Sequence, residues 1–140
     1  MYADVEIEIP FHDVDRMHVV WHGHYLKYFE IARCALLKKF AYNYMDMQAS
    51  GYVWPVIESY VRYAQAIAFE DKIRVRAELK EWENRLKIAY TIYAAESGKR
   101  LTQGFTCQVA VDIASQSMCL QSPPVLLERL AAWPDFVADS

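Results

Sequence analysis

All four histidines of the chain, His12, His18, His22 and His24, fall within one thirteen-residue stretch, and Asp13 and Asp15 sit among them. Imidazole and carboxylate groups move protons near neutral pH, so chemistry is sought here first. The stretch runs into a helical pattern that begins at Tyr25. A helix start presents unpaired N–H groups and a partial positive charge, which polarise a carbonyl or stabilise an oxyanion. A carboxylate a few residues upstream can meet that carbonyl as a nucleophile or as a base for water. Together these groups suit acyl transfer. His18 and His22 are four apart and His22 and His24 two apart, spacings open to metal ligands. No third ligand lies at a recognised spacing and the zincin glutamate is missing, so no metal is expected. His12 reads as an ordinary loop side chain, and Asp13 as the cap of a turn.

The elements that must position these groups follow from periodicity. Tyr2 to Ile9 alternate as a half-buried strand that Pro10 ends. Tyr25, Tyr28, Phe29, Ala32, Leu36 and Phe40 recur at three and four, predicting a helix over Tyr25–Phe40 with a wide apolar stripe. After Gly51 and Trp54-Pro55, period two returns. Strands are expected over Val56–Phe69, from Lys72 to near Trp82, from Leu86 to the Ser97-Gly98 turn, and along Phe105, Cys107, Val109, Val111 and Ile113. Pro123-Pro124 opens a short helix over Val125–Ala132. The last four strands can pair as an antiparallel meander, and the long helix is the only large apolar object such a sheet can bury. The expected fold is α+β: a five-stranded antiparallel sheet wrapped around a long central helix, one domain spanning residues 1–140. Two such domains can pair sheet edges, so a homo-oligomer is expected.

Composition excludes several classes. The chain is 54% apolar and 24% charged, with four Gly and five Pro, which is neither disordered nor collagenous. A net charge of −3 leaves no basic footprint for nucleic acid. No apolar run approaches a membrane span, and the first ten residues carry Asp4, Glu6 and Glu8 where a signal peptide is basic, so a cytoplasmic protein with no membrane partner is expected. Cys34, Cys107 and Cys119 read as reduced packing residues.

The segment resembles the hotdog-fold acyl-CoA thioesterases, in particular the 4-hydroxybenzoyl-CoA thioesterase-like family. Asp13-Val14-Asp15, Val19-Val20-Trp21, His22-Gly23-His24-Tyr25 and Glu30-Ile31-Ala32-Arg33 stand at the family's spacing. The resemblance implies a hotdog fold and hydrolysis of an acyl-CoA or acyl-carrier-protein thioester. It makes Asp15 the catalytic carboxylate, as nucleophile or general base, with the His22 backbone N–H polarising the thioester. It places Tyr25 at the substrate as a positioning group. It further implies phosphate binding by Arg85, the one base kept in Glu81-Trp82-Glu83-Asn84-Arg85. No cofactor is expected, since coenzyme A is part of the substrate, and the assembly expected is a homodimer or homotetramer. The family carries Gly where His18 stands, and Asn or Ser where His24 stands. Two other readings stay open: a hydratase or dehydratase of acyl thioesters using His22 and Asp15, and a non-catalytic acyl-CoA-binding protein.

Overall fold

The computed structural model describes residues 1–138. Strand β1 (Tyr2–Glu8) is followed by a 3-10 turn over Phe11–Asp13, a second over His22–His24, and helix α1 (Tyr25–Lys39). Helix α2 (Tyr44–Ala49) comes next, then β2 (Tyr52–Val53), β3 (Val56–Tyr63), β4 (Lys72–Glu81), β5 (Leu86–Ala94), β6 (Arg100–Gln108), β7 (Val111–Asp112) and α3 (Pro124–Ala131). The five long strands form one antiparallel sheet in the order β1-β4-β5-β6-β3, and β2 pairs with β7 in a two-stranded sheet. This is the α+β architecture expected, with α1 packed against one face of the sheet.

Apolar alternation explains the middle of the sheet. Ile73, Val75, Ala77 and Leu79 of β4 and Leu86, Ile88, Tyr90 and Ile92 of β5 are all buried, and they meet Phe29, Ala32, Leu36 and Leu37 of α1 in one core. The outer residues of β1 and β4 zip by charge: Asp4 faces Arg76, Glu6 faces Arg74 and Glu8 faces Lys72. Opposite charges directly across a ladder support that register. Helix α2, which the periodicity did not show, is set by a capping box in which Asn43 and Asp46 satisfy each other's backbone N–H.

Three expectations change. The four later strands are not a simple meander: β4, β5 and β6 are, but β3 pairs with the far side of β6 and β1 takes the free edge of β4. Strand β3 stops at Tyr63 rather than Phe69, because the chain leaves the sheet to cover the loop before α1. In β6 the faces are reversed. Thr102, Thr106 and Gln108 lie opposite Ile92, Ile88 and Leu86 and so face the core, while Phe105 turns outward against Tyr60 and Lys87.

The reversal has a packing cause. Phe29 stacks on Tyr90 with ring centroids 4.4 Å apart, and a Cβ on Gly104 would come within 2.6 Å of the Phe29 ring. The inner face of β6 must therefore be small where α1 presses on it. Some of its polar groups find partners: Thr106 Oγ1 bonds Tyr90 Oη at 2.7 Å, and Gln108 donates to the Trp54 carbonyl at 2.8 Å, while Thr102 Oγ1 and Gln108 Oε1 are buried with no partner among the described residues. Arg33 of α1 joins this interior, donating to Tyr44 Oη at 2.8 Å and Tyr90 Oη at 3.4 Å.

No helix among the described residues is long and apolar enough to cross a membrane.

Candidate active site

The link from β1 to α1 is a small hairpin. Val14 bridges Val20, Trp21 N–H donates to the Asp13 carbonyl at 3.1 Å, and Asp15 N–H donates to the Val19 carbonyl at 2.9 Å. Asp15 therefore sits at the start of the hairpin's tip. Its Oδ1 accepts the Met17 N–H at 2.8 Å, an Asx-type turn, and Oδ2 has no partner among the described residues. His18 completes the tip with a φ of 63°, the left-handed conformation a glycine adopts freely.

The base of the hairpin is clasped to α1. Asp13 is 1% exposed; its carboxylate accepts Lys27 Nζ at 2.7 and 2.8 Å and the Tyr28 hydroxyl at 2.7 Å. Asp13 is thus a buried anchor rather than the turn cap its sequence context suggests. Burial alone would push its carboxyl up, but the hydrogen bonds from Lys27 and Tyr28 and the Lys27 charge outweigh it and hold Asp13 below the ordinary carboxylate range. Burial and the same bond push the Tyr28 phenol well up, so it stays a donor.

The helical run begins at His22, directly after an extended Trp21. The His22 and Gly23 amides donate to no protein acceptor among the described residues, so two free N–H groups and the positive end of α1 open here. The Trp21 indole lies over Gly23, where a Cβ would have to displace the ring. Tyr63, at the end of β3, donates its hydroxyl to the His22 carbonyl at 3.0 Å and sets its ring edge-on to Tyr25 at 4.7 Å. Burial, then the Tyr63 neighbour, pushes the Tyr25 phenol up, partly offset by the Ile67 backbone.

Asp15, His22 and Tyr25 all line one cavity of about 300 Å³, with Val20, Tyr63 and Gln65 among its other walls. The segment after β3 closes one side, with Val20 N–H donating to the Ile67 carbonyl at 2.7 Å and Ala68 bridging Val19. Tyr63 and Gln65 were missed in the sequence because an expected strand through Phe69 carried no sign that it turns toward the helix start. Arg85 is not in this cavity. It bonds Glu81 at 2.8 Å in the β4–β5 turn and lies 3.8 Å from Glu58. The paired positions Leu86, Gln108 and Val56 mark that end of the sheet, and Ile92, Thr102 and Tyr63 mark the site end. Six residues of strand separate them, about 20 Å.

Among the described residues no three His, Cys, Asp or Glu side chains converge to hold a metal. His12 points into solvent at 79% exposure, 3.6 Å from Asp13, while His22 and His24 pack around the Trp21 ring.

This arrangement occurs in a chain with named relatives. A Bacillus subtilis protein named "Putative acyl-CoA thioesterase YneP" is 28% identical over 105 residues, covering 73% of this chain and 76% of that protein. The crystal structure of a DHNA-CoA thioesterase from Staphylococcus aureus superposes with a TM-score of 0.82 at 27% identity, covering 93% of this chain and 89% of the other. Slr0204, a 1,4-dihydroxy-2-naphthoyl-CoA thioesterase from Synechocystis, superposes with a TM-score of 0.83 over 94% of this chain and 97% of its own. At 16% identity that second likeness shows the fold alone. The thioesterase-like superfamily matches residues 9–140, nearly the whole chain, and with the hotdog architecture in place the chain belongs to that superfamily.

Proposed function

We propose that the protein hydrolyses the thioester of an acyl-CoA to the free acid and the thiol, with Asp15 as the reacting carboxylate. The observation that carries this reading is that Asp15, whose Oδ2 has no partner among the described residues, and His22, whose amide is free at the helix start, line one cavity. An acyl carbonyl held there would lie between a nucleophile or base and the donors that stabilise its developing negative charge. Asp15 either attacks the carbonyl, expelling the thiolate and leaving an anhydride that water cleaves, or takes a proton from a water that attacks. In both routes one water is consumed, and its proton ends on the thiol. Tyr25 and Tyr63 then act by position, fixing the helix start that carries the amides. The same chemistry extends to a thioester on a carrier protein, since the reacting atoms are identical.

The protein would work as a homo-oligomer, a dimer or a tetramer. Strand β3 is a sheet edge of eight residues on which Val56, Ile57, Tyr60 and Tyr63 are all exposed, and an unpaired apolar edge of that length is a template for another strand. A second copy there would cover the mouth of the cavity at Tyr63.

The test is thiol release from acetyl-, medium-chain, long-chain and aroyl-CoA, and from an acyl carrier protein, by wild type and Asp15→Asn. Turnover is expected in wild type, with kcat about 10²–10⁴ lower in the variant. Equal turnover in the two proteins would remove Asp15 from the chemistry, and water addition to an enoyl-CoA without thiol release would replace hydrolysis by hydration.

A further inference from the structure

On the outer face of the sheet, beyond the segment that walls the acyl cavity, a second cavity of about 200 Å³ opens. Arg62 of β3, Arg100 of β6, Gln103 and Gln65 line it, and no carboxylate does. Arg62 and Gln103 are paired across the β3–β6 ladder, and Gln65 N–H donates to the Leu101 carbonyl at 3.1 Å, so three of the four lie on hydrogen-bonded backbone. Gln65 lines this cavity and the acyl cavity alike, which makes the two neighbours across one thickness of chain.

The other cations of the sheet are each ion-paired, set across from an acid, or laid on a ring. Arg76 is held by Asp4, Lys80 by Glu78 and Arg85 by Glu81, while Arg74 and Lys72 face Glu6 and Glu8, and Lys87 lies over the Phe105 ring. Arg62 and Arg100 take part in no ion pair among the described residues. Two guanidiniums without an acidic partner thus lie together in a hollow beside the site. Guanidinium forks match phosphate oxygens two at a time, and carboxamides such as Gln103 add neutral donors.

The geometry points to a phosphate-binding subsite formed by Arg62 and Arg100, which holds the phosphorylated arm of the thioester while its acyl end occupies the neighbouring cavity. This rests on the thioesterase reading of that cavity. In a phosphopantetheine thioester the phosphate is separated from the reacting carbonyl by the whole arm, so its binding groups must lie near the acyl cavity but outside it, as these do. Because the subsite touches no reacting atom, it contributes to capture and not to the chemical step. The shared chemistry is a phosphate ester, and its source is either the nucleotide end of coenzyme A or the phosphodiester of a carrier protein's arm.

The experiment compares wild type with Arg62→Gln/Arg100→Gln, using one acyl group carried on CoA, dephospho-CoA, pantetheine and a carrier protein. Both arginines are exposed, so the double variant should unfold at the wild-type midpoint. The expected result is a KM for the CoA thioester raised about tenfold or more at unchanged kcat, the scale of one charge-assisted hydrogen bond. The pantetheine thioester should be unaffected, and the CoA effect should shrink in about 0.5 M salt. Loss confined to CoA and dephospho-CoA assigns the nucleotide phosphates, whereas an equal loss with the carrier protein assigns the phosphodiester. An unchanged KM for the CoA thioester, or an equal rise with pantetheine, overturns the subsite. Calorimetric titration of free CoA separates this outcome from failure of the thioesterase reading. A wild type that releases no thiol but binds CoA more tightly than the double variant would overturn the reaction and keep the subsite.

Discussion

Replacing Asp13 by asparagine isolates the clasp beneath the hairpin that carries Asp15. The carboxylate accepts two contacts from Lys27 Nζ and one from Tyr28 Oη, all between 2.7 and 2.8 Å. A hydrogen bond to a charged group contributes about 1.5–3 kcal/mol, and breaking a fully buried ion pair costs about 3–5 kcal/mol. Lys27 is 43% exposed, so water screens it, and its share falls toward the roughly 1 kcal/mol of a surface pair. Tyr28 is 1% exposed and has no such recourse; exchanging an ionic acceptor for an amide oxygen should cost it about 1–1.5 kcal/mol. The expected loss is about 2–2.5 kcal/mol by urea unfolding at pH 7.

The pH dependence supplies a second, independent reading of the same clasp. Asp13 has a depressed folded-state pKa, so its contribution is complete above the unfolded value near 3.9 and is lost as pH falls through the folded value. The stability gap between wild type and Asp13→Asn should therefore be constant from about pH 5 to 7 and close below about pH 4. A gap under about 0.5 kcal/mol at pH 7, or one that persists unchanged into acid, would refute the clasp. A cycle with Lys27→Met closes the argument, with a coupling of about 1 kcal/mol expected between the two positions.

Three further perturbations follow. Tyr63→Phe keeps the ring against Tyr25 and removes only the bond to the His22 carbonyl; stability should fall by no more than about 1 kcal/mol, while kcat/KM in the thiol-release assay falls several-fold. His18→Gly relieves a positive φ that costs an L-residue about 1–2 kcal/mol but frees the unfolded chain, so unfolding free energy should stay level or rise by up to about 1 kcal/mol in a denaturant titration. Gly104→Ala drives a methyl into the Phe29 ring and the Tyr60 carbonyl, and a loss of about 1–3 kcal/mol is expected by thermal or urea unfolding.

Where one face of an element is uniformly apolar, its place in the fold was readable in the sequence. The β4 and β5 alternation and the α1 stripe name the core almost residue for residue, because burial on one face imposes a period that nothing else in the chain imitates. Strand β6 defeats that logic. Its inward positions are Thr102, Gly104, Thr106 and Gln108, since Phe29 needs room and Tyr90 and the Trp54 carbonyl need partners, so apolarity marks the outer face instead. Arg33 departs from that logic too: it is polar by type yet interior by contact, held by two tyrosine hydroxyls from α2 and β5. The site was legible as a segment, and Asp15, His22 and Tyr25 do line one cavity, but its far wall was not. Tyr63 and Gln65 come from another element, and no local pattern records which distant strand end closes on a helix start.

Asp15 also shows why a turn-capping reading and a chemical reading of one carboxylate need not compete. Considered from sequence, an aspartate in a tight loop either hydrogen-bonds its own backbone or stays free to react. In the structure its two oxygens divide these tasks: Oδ1 accepts the Met17 N–H at 2.8 Å, and Oδ2 is left without a partner beside the cavity. The first bond removes most of the side chain's rotational freedom, so the second oxygen keeps a constant direction relative to the helix start. The base of the same hairpin is fixed to that helix by Asp13, whose bonds to Lys27 and Tyr28 tie the loop to the first turn of α1. Asp15 and the His22 amide are thus held in one frame by two aspartates with different work. If Asp13→Asn lowers kcat for thiol release while leaving KM for the same thioester near the wild-type value, that shared frame is what the reaction uses; a change in KM alone would reduce Asp13 to a general support of the fold.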